Sequence, residues 1–441
     1  MPFESAKRIK QIDSAVLLFV PMLLFKLACD LGYWYLLTWN TKVFRADFNP
    51  VKYAVGLLWC IVLFFAIDHN RKKASSFLLL LFFLLQIVPI TTIYALGNDN
   101  SVYYNTVCLA TLLCELFVRY VDTDRQIIRA ETLSTLMIVG FFALSVFTVV
   151  QMIRIYGKPS STAMDIYKVY EMRANAKELG KLLNYLLEWT MAVFLPLWIA
   201  KSITDKKYLF TALLCGVMLL IYLYTGHKTY LFAVPMVVAC SLWAGREDCH
   251  RELFFCFCFG FAILVVLCLM ESNKDHGLFN QVFSLLGRRC MLDTANNKFK
   301  YYDYFSQRPR MGVYGIFPRW LVRINSYYAD IPYTYEISRI YFQAPNMNSN
   351  TGFLAEGYMR FGHIGTFAAL FLFGLILKLI DSFAQRTSYQ LAVGFFSFAV
   401  FSLADAYLFS SLFFGPWMLM ILILLFYSEK KGKTRENGAL A

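Results

Sequence analysis

Charge is what this chain has least of. Only 16% of its 441 residues are Asp, Glu, Lys or Arg, where soluble domains carry about 25%. So few ionisable groups cannot cover an ordinary water-facing surface, which excludes a soluble enzyme or binding module. Acidic residues are the scarcer sign, 29 against 42 basic ones, and histidines number 5. A metal-binding His/Glu helix, a phosphate-cradling Gly-rich loop and a dinucleotide fingerprint are all missing, so neither a metal nor any other cofactor is expected. Asp122-Thr-Asp124 has the paired form that holds a divalent ion in nucleotide-sugar transferases, yet it lies in a short polar break beside Arg119 and Arg125 and reads as a solvated loop. The net charge of +13 would suit nucleic acid only if a soluble basic face presented it; no nucleic-acid partner is expected. Nor do the 11 cysteines form a disulfide framework, because most sit inside apolar runs, where a free thiol behaves as a small hydrophobe. Lys7, Arg8 and Lys10 precede an apolar run from Ser14 without a small-residue cleavage site, which predicts a retained first helix rather than a removed leader.

Apolar residues are what is there in quantity, at 59%, with 18% aromatic; soluble domains average about 45–50% apolar. Runs of about 20 apolar residues recur, and in lipid only helices and closed barrels satisfy their own backbone. The expectation is an all-α polytopic membrane protein, one integral membrane domain over residues 1–441 without internal repeats. Twelve spans are predicted, near 14–37, 51–67, 77–96, 102–118, 134–153, 182–200, 208–224, 229–244, 253–270, 361–380, 389–404 and 407–427. Lys/Arg clusters such as Arg71-Lys72-Lys73, Lys201/Lys206/Lys207 and Lys430/Lys431/Lys433 then fall on one side with both termini, and basic short loops face the cytoplasm. Inside the spans, Lys26 and Asp30 lie one turn apart and most simply neutralise each other, while Glu188 has no evident local partner.

Two loops on the opposite side are basic as well. Residues 154–181 carry Arg154, Lys158, Lys168, Arg173, Lys177 and Lys181, with an interfacial helix expected from Asp165 to Leu179. Residues 271–351 hold seven arginines before the next run, from Arg288 to Arg339, among nine tyrosines. Connections longer than about 15 residues are uncommon and usually functional. Arginine grips anions with a planar, permanently charged fork, so both loops are read as presenting cations to an anionic, sugar-like or lipid-like ligand. The alternative is that long loops merely escape the charge rule.

Within the larger loop, Ile316-Phe317-Pro318-Arg319-Trp320 is followed by Thr351-Gly352-Phe353-Leu354-Ala355-Glu356-Gly357-Tyr358-Met359-Arg360-Phe361-Gly362-His363-Ile364-Gly365. This pair of elements resembles the outer loop of Wzy-type polymerases, the bacterial enzymes that polymerise O-antigen and related surface oligosaccharide repeat units. The plan of many spans and two basic periplasmic loops is similar too. The chain departs from that pattern after Trp320, where the usual Trp-Pro-x-Lys-Pro continuation reads Leu321-Val322-Arg323-Ile324-Asn325.

The resemblance implies a GT-C-like glycosyltransferase of the bacterial inner membrane, with both termini cytoplasmic and the active site facing the periplasm. Its substrate would be an undecaprenyl-diphosphate-linked oligosaccharide, whose glycan passes to the non-reducing end of another lipid-linked unit. A chain-length regulator and a flippase would be its protein partners, beside the lipid bilayer. Guanidinium groups suit a departing diphosphate, which singles out Arg319 and Arg173, then Arg339 and Arg323. Lys228, in the turn Thr225-Gly226-His227-Lys228, would complete the set. For general base Glu356 comes first, although an ordinary i,i+4 bridge to Arg360 is an even competitor; His363 is the alternative base. Rival readings are an O-antigen ligase, which typically carries a histidine where this chain has Asn346, Asn348 and Asn350, and a flippase or transporter of the same glycan, whose similar halves and short loops are not seen here.

Overall fold

Two asparagines show how local sequence starts these helices. Asn49 precedes Pro50, and its side chain accepts from the Lys52 N–H at 3.1 Å; Asn100 accepts from Val102 and Tyr103 at 2.9 and 3.1 Å. Each cap satisfies N–H groups that the first turn leaves without partners. The computed structural model describes residues 2–39, 43–69, 73–121, 131–158, 179–246, 249–271, 277–317 and 326–428. Among them the fold is all helical, with no strand. Eight helices are long and apolar enough to cross a membrane, and four shorter apolar helices of 10–17 residues stand at Pro50–Ala66, Tyr230–Ala244, Tyr389–Ser402 and Pro416–Phe426. The twelve apolar runs of the sequence thus each coincide with an apolar helix.

The helices cluster into two compact units. The first comprises Met1–Asp122, Asp248–Leu377 and Val400–Phe414. Its centre is the helix Ala74–Leu96, buried along its whole length. A segment as apolar on all sides as Phe77-Leu-Leu-Leu-Leu-Phe-Phe-Leu-Leu85 suits lipid and protein interior equally; here other helices enclose it. Around it pack Pro2–Leu31, Pro50–Ala66, Ser101–Tyr120 and Asp293–Ser306. The Lys26–Asp30 pair forms as expected, and Asp30 also accepts from Tyr53 at 3.0 Å and Thr92 at 2.8 Å. Three helices are joined there by one buried, paired carboxylate.

The large loop belongs to this unit, and its described residues include helical stretches: Leu278–Phe283, a wider π-helical stretch Ser284–Leu292, Asp293–Ser306 and Tyr333–Phe342. Asp293–Ser306 meets three other connections. Asn296 donates to the Val43 carbonyl at 2.8 Å, Lys300 pairs with Asp99 at 3.3 Å, and Lys298 donates to the Ala404 carbonyl at 3.2 Å. Those connections follow the first, third and eleventh expected runs, all of which the charge pattern assigns to one side.

The second unit comprises Thr123–Glu247, Lys378–Ala399 and Gly415–Ala441. Close helix approaches hold it: a Cβ on Gly394 would overlap Ser241 and lie 3.2 Å from the Cβ of Ala200. Gln390 donates to the Ser241 carbonyl at 2.8 Å and Arg386 to that of Leu425 at 3.1 Å. Glu188 is exposed on the helix Lys181–Trp189. The interfacial helix expected over Asp165–Leu179 lies outside the described residues, apart from its last position.

Candidate functional site

The expected run from Phe361 begins earlier than its hydrophobicity suggests. Helix covers Phe353–Arg386, broken at Phe361 (φ −131°, ψ 17°) and Gly362 (φ 66°, ψ −149°). The Gly362 backbone lies in a region essentially reserved for glycine. Gly357 and Gly365, eight residues apart, would be separated by about 12 Å in a straight helix. Here a Cβ on Gly357 would sit 2.5 Å from the Gly365 carbonyl oxygen and 3.0 Å from the Thr366 Cα. Segments 353–360 and 363–386 therefore fold against each other backbone to backbone, and only glycines permit it.

Glu356 and Arg360 lie just before the break, 0% and 2% exposed. Arg360 Nε donates to Glu356 Oε1 at 2.9 Å, so the i,i+4 bridge that the sequence allowed is made. The carboxylate also accepts from three successive backbone N–H groups: Leu408 at 2.5 Å, Phe409 at 2.9 Å and Ser410 at 3.3 Å. With four donors on two oxygens, Glu356 organises its surroundings. Arg360 in turn donates to the carbonyls of Gly312 and Tyr314 at 3.3 and 2.6 Å. This explains why helix resumes at Ser411–Phe414 and then Pro416–Phe426, not at 407: Leu408–Ser410 give their N–H groups to Glu356 rather than to a helix. Phe317, at the start of the Pro-Arg-Trp element, packs its ring 4.4 Å from Phe413.

A second group straddles the break, from Tyr358 to His363. Arg310 stacks 4.2 Å over Tyr358 and donates to its hydroxyl at 2.8 Å. His363 meets the same ring at 5.1 Å, while its Nδ1 is 2.9 Å from the Thr106 hydroxyl. Arg339 has a largely exposed side chain, 3.9 Å from Glu336, which Arg308 also approaches at 3.9 Å while stacking 4.0 Å over Tyr304.

The structure thus brings Glu356, His363 and Arg339 into one unit. Arg319, Arg323 and Arg173 lie outside the described residues. Lys228 begins the helix Lys228–Ala244 of the second unit, after Gly226 (φ 63°) closes the preceding helix in a left-handed cap.

Two further features were not singled out from sequence. Glu115 lies within the candidate span Ser101–Tyr120, 1% exposed, and neither carboxyl oxygen has a hydrogen-bond partner. Its signal was available, since an ionisable residue inside an apolar run is a functional candidate by default. The other is Lys298, 0% exposed, whose amine donates to the Thr294 and Ala404 carbonyls, both at 3.2 Å. Burial pushes this amine down to about 7, partly offset by the charge of Asp405. Burial likewise pushes Asp405 up to about 6, against the lowering charges of Arg289 and Lys298. The arrangement defines a class, a polytopic membrane protein, all helical among the described residues, in whose first unit the polar helix Asp293–Ser306 packs against the buried Ala74–Leu96. Beyond the class, no family model, no curated protein and no solved structure matches this chain.

Proposed function

We propose that this chain is a membrane glycosyltransferase of the Wzy type. It polymerises undecaprenyl-diphosphate-linked oligosaccharide repeats at the periplasmic face of the bacterial inner membrane. In this reading the helices make twelve crossings of a GT-C-like fold, both termini are cytoplasmic, and a flippase and a chain-length regulator act beside it.

One observation carries the proposal. The element that bears the family resemblance is held at one structural junction: Arg360 grips the carbonyls of Gly312 and Tyr314 just before Ile316–Phe317, and Glu356 binds the turn at 408–410. Arg360 of the second motif half is thereby bonded to the chain just ahead of Ile316 and Phe317, the described start of the first half. Glu356 serves here to hold the junction, His363 stands beside Arg310, and the diphosphate is met by Arg319, with Arg323 and Arg339 as supporting cations. Arg173 and Lys228, in the other unit, are assigned to the same anion by the resemblance alone.

Deletion of the gene in its own host tests this. A polymerase null leaves surface glycan of a single repeat, a flippase null leaves none, and a ligase null accumulates unattached polymer. Arg319→Ala is expected to abolish the polymer ladder while the protein remains inserted, and Arg319→Lys to restore it poorly, because the bidentate grip is gone. A normal ladder from the lysine variant would remove Arg319 from the clamp.

A further inference from the structure

One proton can be placed in the group around Tyr358. Thr106, on the helix Ser101–Tyr120, donates its hydroxyl hydrogen to the Val102 carbonyl at 2.8 Å. A hydroxyl has a single hydrogen to give, so toward His363 the Thr106 oxygen accepts, and its partner there is Nδ1 at 2.9 Å. Nδ1 therefore carries the imidazole hydrogen. In the neutral ring Nε2 then keeps its lone pair, and the bond to Thr106 holds both this tautomer and the ring. Nε2 itself has no hydrogen-bond partner among the described residues and is not enclosed. A proton acceptor is thus set at the helix break by a residue 257 positions away in the chain.

A cation stands next to it. Arg310 and His363 both meet the Tyr358 ring, at 4.2 and 5.1 Å. A Cβ on Gly362, the residue before His363, would lie 3.7 Å from Arg310 Nε. Arg310 is exposed, and two bonds hold it, to the Phe305 carbonyl and the Tyr358 hydroxyl. A guanidinium has five N–H groups, so others remain to be used. The arginine salt bridges of the described residues belong to Arg288, Arg308, Arg339 and Arg360, not to Arg310. Phe361 and Ile364, apolar neighbours of this pair, are 40% and 79% exposed. They stand on a helix long and apolar enough to cross a membrane, where such side chains lie against acyl chains. A lipid-borne molecule therefore reaches the histidine and the arginine from the bilayer.

We infer that His363 Nε2 accepts the proton of the acceptor sugar hydroxyl, that Thr106 keeps Nε2 free to do so, and that Arg310 adds a cation to those that meet the departing diphosphate. The inference rests on the polymerase reading and names the proton acceptor within it. The acceptor O–H bond breaks and its proton passes to Nε2. The electron pair left on that oxygen forms the new bond to the anomeric carbon of the donor. The bond from that carbon to the diphosphate oxygen breaks, and its electron pair leaves with the diphosphate, whose added charge Arg310 meets. The imidazolium then gives its proton to water. A neutral imidazole of fixed tautomer beside a phosphate-binding cation is a pairing that suits such a transfer. Thr106 is a positioning residue: it touches neither substrate and acts through the ring.

The test uses membrane vesicles from the producing strain, with polymer read on a gel, and purified full-length protein titrated with farnesyl diphosphate as the lipid diphosphate. His363→Gln is expected to lower polymer yield about 100-fold, while melting with the parent and binding farnesyl diphosphate as the parent does. Imidazole added to His363→Ala vesicles restores part of the yield, which it would not do for a histidine that only packs. Thr106→Val keeps the shape and removes the hydroxyl; it is expected to lower yield about tenfold, and Thr106→Ser to restore it. In imidazole-supplemented His363→Ala vesicles, Thr106→Val costs nothing further, because its effect passes through the ring. Arg310→Gln weakens farnesyl diphosphate binding about tenfold. Three results would each overturn the inference and leave the polymerase reading intact: a normal ladder from His363→Gln, an equal cost of Thr106→Val with and without His363, or unchanged binding by Arg310→Gln. If parent vesicles make no polymer at all, the reading itself fails and the role of His363 falls with it.

Discussion

Glu115 and Lys298 are two buried ionisable side chains with opposite fortunes. The Lys298 amine has backbone carbonyls to donate to, whereas the Glu115 carboxyl has no partner. A buried polar group left unsatisfied costs about 1–3 kcal/mol. Glu115→Leu is therefore expected to raise the melting temperature in detergent, and Glu115→Gln to leave it nearly unchanged. A lower melting temperature for the leucine variant would mean that the carboxyl is held by something after all. For Lys298 the consequence is a pH slope. Its folded-state value of about 7 lies below the ordinary 10.5, so between those limits the unfolded chain binds a proton that the folded chain does not. Unfolding then takes up a proton, and stability rises with pH across the interval, by at most about 1.4 kcal/mol per unit. The measurable quantity is the difference between parent and Lys298→Met from pH 7 to 9, in which groups not coupled to Lys298 cancel; a flat difference would remove the shift. Neither residue could be weighed from sequence. Glu115 shows only as an acid in an apolar run, and nothing in Asn297-Lys298-Phe299 foretells that the amine is enclosed.

The helix break shows how an element can be legible in composition and illegible in shape. The glycines at 357, 362 and 365 mark close approach in the sequence, and close approach is what they provide. Their spacing alone did not reveal that one apolar helix is two, because hydrophobicity runs on through the bend. The expected runs leave the eight-residue segment ahead of the break outside any span, although its i,i+4 pair fits a helix, and they take the turn at 408–410 as helix. Glu356 and Arg360 interrupt the hydrophobicity of the first, and in the second the exchange of N–H groups for a distant carboxylate leaves no periodic trace. Gly362→Ala is expected to cost about 1–3 kcal/mol through backbone strain, and Gly357→Val more, since its side chain meets backbone that cannot give way. Thermal melting checks both. If Gly357→Val melts with the parent, the backbone contact with Gly365 is not formed.

For the whole molecule, sequence was most informative about where polar chain gathers. The positive-inside pattern placed the connections near Val43, Asp99 and Ala404 on the same side as the large loop, and all three bond to the single helix Asp293–Ser306. That agreement between a charge rule and a set of contacts is independent of any resemblance. It predicts the labelling pattern of intact cells with a permeabilised outer envelope. Cysteine placed at Ser306 should react with an impermeant maleimide, and cysteine placed at Lys206 should not until the inner membrane is opened. The reverse pattern would turn the protein over and overturn the proposal of a periplasmic site. What sequence could not supply is the hierarchy within the fold. Twelve runs of similar apolarity gave no hint that Ala74–Leu96 alone would be walled in along its full length.

That enclosure has a consequence for biogenesis. Ala74–Leu96 leaves the ribosome third among the hydrophobic helices, while one of its walls, Asp293–Ser306, is synthesised some two hundred residues later. Until that wall arrives, part of the central helix has no protein neighbour, and whatever shelters it, acyl chains or an insertion factor, must then be displaced. Assembly of this protein is thus a late closing of ranks around an early-born helix, and chains cut short before residue 293 are expected to be cleared by membrane proteases rather than to accumulate.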